Sequence, residues 1–210
     1  NYDFDIIINC AAYTAVDKAE ENIELANRIN HLAVEQLANI VNKKRCKLIH
    51  VSTDYVFNGV KKTPYLEIDE TNPINVYGKT KCAGEQAIKA LMPFNAVIIR
   101  TSWLYSEYGN NFVKTILNLG KKHQNINVVS DQIGSPTYAS DLAYVILKII
   151  NRKEFKNKSQ PTHIYHYSNK GEVTWYQFAI EIFKLKGIRC KVVPIKTEKF
   201  PTLAKRPKNT

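Results

Sequence analysis

The stretch that decides the fold covers residues 48–59 and reads Leu48-Ile49-His50-Val51-Ser52-Thr53-Asp54-Tyr55-Val56-Phe57-Asn58-Gly59. Its first residues are mostly apolar and β-branched, a pattern that predicts a buried strand ending in the hydroxyl side chains of Ser52 and Thr53. In open α/β sheets, ligands bind outside the carboxyl ends of the strands. The stretch therefore predicts a binding site at this edge of a sheet.

A helix is predicted next, from Val76 to Met92, after a polar loop rich in turn residues over residues 58–73. Tyr77 and Lys81 lie one turn apart on one face of this helix. A phenol, an ammonium group and a strand-end hydroxyl that face one crevice can protonate a carbonyl oxygen. Thr53, Tyr77 and Lys81 are therefore the candidate catalytic residues.

The spacing of this tyrosine and lysine carries little information by itself. The chain is rich in both residue types, so chance alone should give about one such pair. A second pair, Tyr144 and Lys148, lies in an apolar helix with no hydroxyl-tipped strand before it, and we interpret it as ordinary packing. The preceding strand and a following strand that ends near Trp103 distinguish the pair of Tyr77 and Lys81.

Strands and helices alternate through the rest of the chain, which favours right-handed parallel crossovers. A strand is predicted over Asp5–Cys10, and apolar positions at three- and four-residue spacing predict one long amphipathic helix over Ala19–Lys44. Further predicted elements are strands at Ala96–Thr101, Ile126–Val129, His163–Tyr167 and Lys191–Ile195, and helices at Phe112–Lys122, Asp141–Asn151 and Trp175–Lys186. Polar residues predict an exposed linker over Lys153–Thr162.

Several motifs carry a resemblance to a known family. Residues 52–59, the run Tyr-Gly-Lys-Thr-Lys-x-x-Gly-Glu at 77–85 and Arg100-Thr101-Ser102-Trp103-Leu104-Tyr105 closely match the extended short-chain dehydrogenase/reductases. Within these, the chain resembles the dTDP-4-dehydrorhamnose reductase family. Further matches lie at residues 9–20, 109–112, 131–137 and 206–209, so the resemblance covers nearly the whole chain.

The resemblance implies an α/β fold with a Rossmann-like doubly wound parallel sheet, lacking its N-terminal strands in this chain, and a small C-terminal α/β substrate lobe. Residues 1–130 would form the partial dinucleotide-binding core. Residues 131–210 would form the substrate-binding lobe, with the helix at 141–151 packing back on the core.

The resemblance also implies an enzyme. It would use NADPH or NADH to reduce the C4 keto group of dTDP-4-dehydro-L-rhamnose to dTDP-L-rhamnose, in nucleotide-sugar and cell-surface polysaccharide biosynthesis. Tyr77 would protonate the forming alkoxide, Thr53 would hydrogen-bond the carbonyl oxygen, and Lys81 would lower the pKa of Tyr77 and bind the nicotinamide ribose. The implied cofactor-binding residues are Ala11, Ala12, Tyr13, Thr14, Val51, Tyr77 and Lys81, and the implied substrate-binding residues are Thr53, Asp54, Tyr55 and Trp103.

One departure from the family pattern concerns the cofactor. Family members open with a glycine-rich turn that binds the pyrophosphate, whereas this chain has no glycine before Gly59 and resembles an interior part of family members. We therefore expect no micromolar binding of NADH or NADPH to the chain itself, and the preference between the two stays open. A non-catalytic regulatory homologue, or another nucleotide-sugar 4-reductase or 4-epimerase, is the alternative.

The amino-acid composition limits which classes of partner and which location we expect for the protein. The net charge of +11 comes from scattered lysines without a nucleic-acid motif, so we expect an anionic nucleotide sugar and no nucleic acid. There is no run of 18 apolar residues, which predicts no membrane span, and four separated cysteines indicate reduced thiols in a cytoplasmic protein. His163 and His166 lack further ligands, so no metal site is predicted. The resemblance alone leaves Mg²⁺ and a homodimer open.

Overall fold

The computed structural model describes residues 4–156 and 160–210. The strands in these ranges are β1 (Ile6–Asn9), β2 (Lys47–Thr53), β3 (Ala96–Thr101), β4 (Leu104–Tyr105), β5 (Asn125–Val129), β6 (Ile133–Gly134), β7 (Thr137–Tyr138), β8 (His163–His166), β9 (Val173–Thr174) and β10 (Lys191–Ile195). The α-helices are α1 (Val16–Glu21), α2 (Ile23–Asn27), α3 (Ala33–Lys43), α4 (Val76–Leu91), α5 (Phe112–Lys122), α6 (Ala139–Asn151), α7 (Lys153–Lys156) and α8 (Trp175–Lys186).

The main sheet has the strand order β1-β2-β3-β8, and every neighbouring pair is parallel. The register pairs Thr53 at the end of β2 with Thr101 at the end of β3. Parallel pairing places the carboxyl ends of all four strands at one edge. The hydroxyl-tipped strand therefore ends at the edge where a ligand is expected.

Helices cover both faces of this sheet. On one face, α3 and α4 pack against β2 and β3 in a core that includes Val34, Ile88, Leu48 and Ile98. On the other face, α6 contributes Leu142 and Ile146 to a core with Ile49, Val97 and Ile99. A strand buried on both faces is expected to be mostly apolar. The run Ala96–Ile99 of β3 fits this, whereas β2 carries the buried His50 between apolar residues. The predicted doubly wound parallel sheet is confirmed.

Apart from the apolar layers on the two faces of the main sheet, which together form its core, a second core forms around the parallel pair of β5 and β10. It packs α5 against α8 through Ile116, Ile126, Ala179 and Phe183, among others. Its elements come from both sides of residue 130, and β8 of the main sheet follows residue 131. The two cores are thus interleaved along the chain, and their assignment as separate domains stays a prediction.

The long helix predicted over Ala19–Lys44 is wrong in detail. In the structure, the helical stretch begins at Val16 and breaks at Asn22. A π-helical segment, Arg28–Leu32, lies between α2 and α3. The π segment brings the fully buried Asn30 amide to face the loop after β1 and α4. A Cβ atom on Gly84 of α4 would lie 2.3 Å from the Asn30 carbonyl oxygen, so the two helices approach closely there.

The exposed linker predicted over Lys153–Thr162 is also wrong in its first part. Residues 153–156 form the short helix α7, and Phe155 is buried in the core beneath α6. The Lys47 ammonium lies 4.8 Å from the centre of the Phe155 ring. One aromatic side chain supplies enough apolar area to fold a polar segment onto the sheet. Residues 157–159 of the predicted linker lie outside the described residues.

Candidate active site

Thr53 ends β2 and caps the turn that follows it. Its Oγ1 accepts a hydrogen bond from Tyr55 N at 3.1 Å and donates to Asp54 Oδ1 at 3.0 Å. A threonine in extended conformation at this position starts the single 3₁₀ turn of Asp54–Val56. The turn reverses the chain at the sheet edge and brings Asp54 and Tyr55 next to Thr53.

The start of α4 brings Tyr77 to the same place. Asn75 caps this helix, since its Oδ1 accepts from Gly78 N at 2.7 Å. Gly78 allows the close approach, because a Cβ atom there would lie 2.2 Å from the Tyr55 carbonyl oxygen. The Tyr77 ring meets the Tyr55 ring edge-on with centroids 5.7 Å apart, and the Thr53 hydroxyl interacts with the Tyr77 phenol.

Tyr77 is protonated at neutral pH. Burial raises the pKa of its phenol to about 12; the Thr53 hydroxyl lowers it and the Asp54 carboxylate raises it. The Lys81 amine donates to the Val51 carbonyl in this structure, so the expectation that Lys81 lowers the pKa of Tyr77 stays a prediction. A protonated phenol is nevertheless the form that can give a proton to an alkoxide.

Lys81 is buried between α4 and the sheet, with only 1% of its surface exposed. Its Nζ donates to the Val51 carbonyl at 2.7 Å and lies 3.3 Å from His50 Nε2. Burial lowers the pKa of Lys81 to about 8, against the opposing effects of Glu85 and Cys10. Val51, predicted to touch the cofactor, thus contributes a carbonyl that positions Lys81.

The loop after β1 is held against α4 by Asn30. Tyr13 N donates to Asn30 Oδ1 at 2.8 Å, and Asn30 Nδ2 donates to the Tyr13 carbonyl at 3.1 Å and to Thr80 Oγ1 at 3.1 Å. Ala11 and Thr14 are exposed, whereas Ala12 and Tyr13 are half-buried. Sequence reasoning did not predict a role for Asn30. The signal that could have indicated one is a polar residue directly after Ile29, an apolar position of the predicted helix.

A crevice of about 290 Å³ opens at the carboxyl edge of the sheet. Its lining includes Asp54, which is one of the predicted site residues. Arg100, Ser102 and His166, which were not predicted, also line it. Burial raises the pKa of Asp54 to about 6, while hydrogen bonds from Thr210 and Thr53 lower it. Asp54 Oδ2 is buried and has no hydrogen-bond partner in the described part of the chain. Asp54 therefore connects Thr53 to the crevice.

Beneath this crevice lies a buried ion pair that sequence reasoning missed. Arg100 Nη2 lies 2.7 Å from Glu85 Oε2, and the side chains are 4% and 0% exposed. Ser52 Oγ also donates to Glu85 at 2.5 Å, and Arg100 lies 3.4 Å from His166 Nε2. The pair ties α4 to β2, β3 and β8. Arg100 and Glu85 each belong to a quoted motif, but their pairing joins positions 15 residues apart in the chain.

Trp103 follows β3 with a positive φ of 46° and is half-buried. It stacks on Trp175 with ring centroids 3.4 Å apart, and a Cβ atom on Gly134 would lie 2.6 Å from its ring. The side chain thus joins the main sheet to the second core. Its contact with a substrate stays a prediction.

Comparison with known proteins identifies the family. The whole chain, residues 1–210, matches the family model described as the RmlD substrate binding domain. A dTDP-4-dehydrorhamnose reductase of Aggregatibacter actinomycetemcomitans is 45% identical over 213 residues, which cover 98% of this chain and 71% of that protein. The chain belongs to the dTDP-4-dehydrorhamnose reductase family.

Solved structures of this family agree with the fold. The dTDP-4-dehydrorhamnose reductase of Clostridium acetobutylicum matches with a TM-score of 0.91 and 49% identity, over 98% of this chain and 70% of that one. That of Bacillus anthracis, solved in complex with NADP, matches with a TM-score of 0.90 and 45% identity over the same shares.

In this reductase-family chain, the C-terminal segment closes one side of the site. Arg206 Nη2 lies 2.6 Å from Asp17 Oδ2 and its guanidinium also interacts with the Tyr55 hydroxyl. Asn75 Nδ2 donates to the Lys205 carbonyl at 2.8 Å. These contacts join residues that are far apart in sequence. The matched motifs at 9–20 and 206–209 therefore meet at Tyr55.

The second tyrosine–lysine pair of this family member is not part of the site. Tyr144 is 60% exposed on α6 and the Lys148 ammonium lies 4.5 Å from its ring centre, so the two side chains pack on each other at the surface of this helix. No group of three His, Cys, Asp or Glu side chains in residues 4–156 and 160–210 is arranged to hold a metal ion. In the same ranges, no helix is both long and apolar enough to cross a membrane.

Proposed function

We propose that the chain carries the catalytic residues of an NADPH-dependent reductase that converts dTDP-4-dehydro-L-rhamnose to dTDP-L-rhamnose. The observation that carries the proposal is the interaction of Thr53 with Tyr77 at the carboxyl edge of the sheet. Tyr77 lies one helical turn before Lys81 in α4. The membership in a reductase family and a relative solved with NADP support the reaction and the cofactor.

The residues present fit the nicotinamide end of such a cofactor. Asn9 and Asn30 hold the loop at residues 11–14, so that the small side chains of Ala11 and Ala12 allow a ligand to approach the backbone. When bound, the reduced nicotinamide supplies the hydride. The pyrophosphate end has no glycine-rich turn in this chain, so we expect the 210-residue chain alone to bind neither NADH nor NADPH at micromolar concentrations.

The roles of the side chains follow from their protonation states. Tyr77 holds its proton at neutral pH and gives it to the oxygen at C4. The Thr53 hydroxyl, which donates to Asp54 in the structure, can instead donate to the same oxygen and orient it. Asp54, Tyr55 and Trp103 are proposed to contact the substrate, Asp54 from the crevice.

The test follows NADPH oxidation by the protein that carries this sequence, supplied with dTDP-4-dehydro-L-rhamnose. We expect Tyr77→Phe to lose more than about 100-fold in kcat, because general acid catalysis contributes at least this much. The matched control is Tyr144→Phe, since this exposed tyrosine also precedes a lysine by one turn. Unchanged turnover in Tyr77→Phe would contradict the proposed role.

The alternatives differ in their products. A 4-epimerase returns the hydride, so it would convert its substrate without net NADPH oxidation, and a regulatory homologue would give no turnover at all. A homodimer, a cytoplasmic location and the absence of nucleic acid stay predictions for this protein.

A further inference from the structure

A series of hydrogen bonds leads from the exposed loop after β1 inward to the buried Lys81. Ala11 N donates to Asn9 Oδ1 at 3.1 Å, and Asn9 Nδ2 lies 3.0 Å from His50 Nδ1. On the other side of its ring, His50 Nε2 lies 3.3 Å from Lys81 Nζ. The His50 side chain has no exposed surface, so these contacts decide where its ring proton lies.

The backbone of Ala11 fixes the direction of these bonds. Its N–H donates to Asn9 Oδ1, so the Asn9 amide nitrogen faces the ring and donates to His50 Nδ1. Burial and the neighbouring Lys81 hold the pKa of His50 well below its usual range, so the ring is neutral at pH 7. A neutral ring that accepts at Nδ1 carries its proton on Nε2.

This tautomer presents an N–H to Lys81. A neutral amine can accept from that N–H, whereas an ammonium group has donors only. If Lys81 is charged, two donors face each other between Lys81 and His50. If the ring takes its other tautomer instead, two donors face each other between His50 and Asn9. Protonation of Lys81 therefore costs one hydrogen bond of the buried network.

We propose that Asn9 and His50 are positioning residues that set the protonation state of Lys81 through the ring tautomer of His50. The inference rests on the proposed function only for its purpose, which is to set the charge that Lys81 presents to the nicotinamide ribose.

The other groups around Lys81 are consistent with this role. Among the described residues, the charged or titratable groups that act on it are Glu85 on its own helix, Cys10 after β1 and His50 on β2. Glu85 and Cys10 favour the ammonium, and burial opposes them. His50 is the group among them whose effect depends on a tautomer, and Asn9 controls that tautomer.

The test is an NMR measurement on the chain without substrate or cofactor. Long-range ¹⁵N correlations of the imidazole report which ring nitrogen of His50 carries the proton, and the ¹³Cε shift of Lys81 reports its titration. In the Asn9→Asp variant the carboxylate still accepts from Ala11 N, but it must also accept from the ring, which moves the proton to Nδ1. His50 Nε2 then accepts from Lys81, and we expect the pKa of Lys81 to rise by about one unit or more.

The control is Cys10→Asp, which adds the same charge at an exposed position near Lys81 without contacting His50. Screening by water should make its effect on Lys81 smaller, with the His50 tautomer unchanged. At a pH above the Lys81 pKa of about 8, where the amine is neutral, Nδ1–H in the wild-type ring would overturn the proposal without any variant. An equal rise of the Lys81 pKa in both variants would also overturn it, because charge alone would then explain the rise. Neither result depends on reductase activity, so failure of the proposed function would be seen separately.

Discussion

At the scale of single residues, burial changes the ionisation of the groups that line the site. The Tyr77 phenol keeps its proton, the Lys81 amine loses its proton more easily, and the Asp54 carboxyl keeps its proton to a higher pH. Each shift favours the neutral form, as expected where water is excluded. At pH 7 the Tyr77 phenol is therefore protonated, whereas Asp54 and Lys81 have pKa values close enough to neutrality that each can gain or lose a proton.

Asp54 gives a pH dependence of stability that can be measured. Its pKa is about 6 in the folded protein, against 3.8 for an ordinary aspartate. Below the lower value, Asp54 is protonated in both the folded and the unfolded protein. Between the two values only the folded protein retains the proton, so the stability of the fold decreases as the pH rises. Above about pH 6 Asp54 is ionised in both states, and the whole free-energy cost of burying its charge is present. A shift of this size corresponds to about 1–3 kcal/mol.

The Asp54→Asn variant removes this cost, since a neutral amide can still accept from the Thr53 hydroxyl. In urea unfolding at several pH values, we expect the stability of the variant relative to the wild type to increase between about pH 4 and pH 6 and to stay level above. A stability difference that does not change with pH would show that Asp54 ionises normally.

At the scale of elements, the site is built by the contact of α4 with the turn after β2. Sequence periodicity predicts both elements, because each buries one continuous apolar face. It does not predict the break at Asn22 or the π segment, because these serve contacts of Asn30 with residues 17 and 50 positions away in the chain. Glu85 was missed for the same reason: its partners Ser52 and Arg100 are distant in sequence.

Gly78 controls the approach of α4. Alanine favours an exposed helix by about 1 kcal/mol over glycine, but the new Cβ atom would lie 2.2 Å from the Tyr55 carbonyl oxygen. We therefore expect Gly78→Ala to destabilise the protein by about 1–3 kcal/mol, as overpacking does. Chemical denaturation measures this change. Lys79→Ala, on the exposed side of the same turn, is the control and should lie within about 0.5 kcal/mol of the wild type.

The ion pair of Glu85 and Arg100 gives a second prediction at this scale. Glu85→Gln leaves the buried Arg100 guanidinium without its counter-charge, which should cost about 3–5 kcal/mol. Glu181→Gln removes the partner of Lys184 in an exposed pair and should cost at most about 1 kcal/mol. Equal urea midpoints for the two variants would mean that Glu85 does not neutralise Arg100.

At the scale of the whole molecule, sequence reasoning correctly predicts the parallel doubly wound sheet, whereas the strand pairing that builds the second core carries no signal in the sequence. The strand run at residues 48–53 and the helix at 76–91 are local patterns, and such patterns fix their own elements. The pairing of β5 with β10 joins residues 125–129 to residues 191–195 and leaves no local signal. The same holds for the stacking of Trp103 on Trp175, which joins the two cores.

This stacked pair offers a probe of how the cores unfold. The chain has 2 tryptophans, so its intrinsic fluorescence reports on the contact of these two rings. We expect fluorescence and far-UV circular dichroism to follow one transition in the wild type, because the contact couples the second core to the sheet. In Trp103→Ala the loss of a stacked, half-buried ring should separate the transitions, with the second core melting first. Tyr108→Ala, which removes an aromatic ring that is 80% exposed, is the control and should keep a single transition. If Trp103→Ala also unfolds in one step, the cores are coupled by their other contacts and the tryptophan pair is not needed for cooperativity.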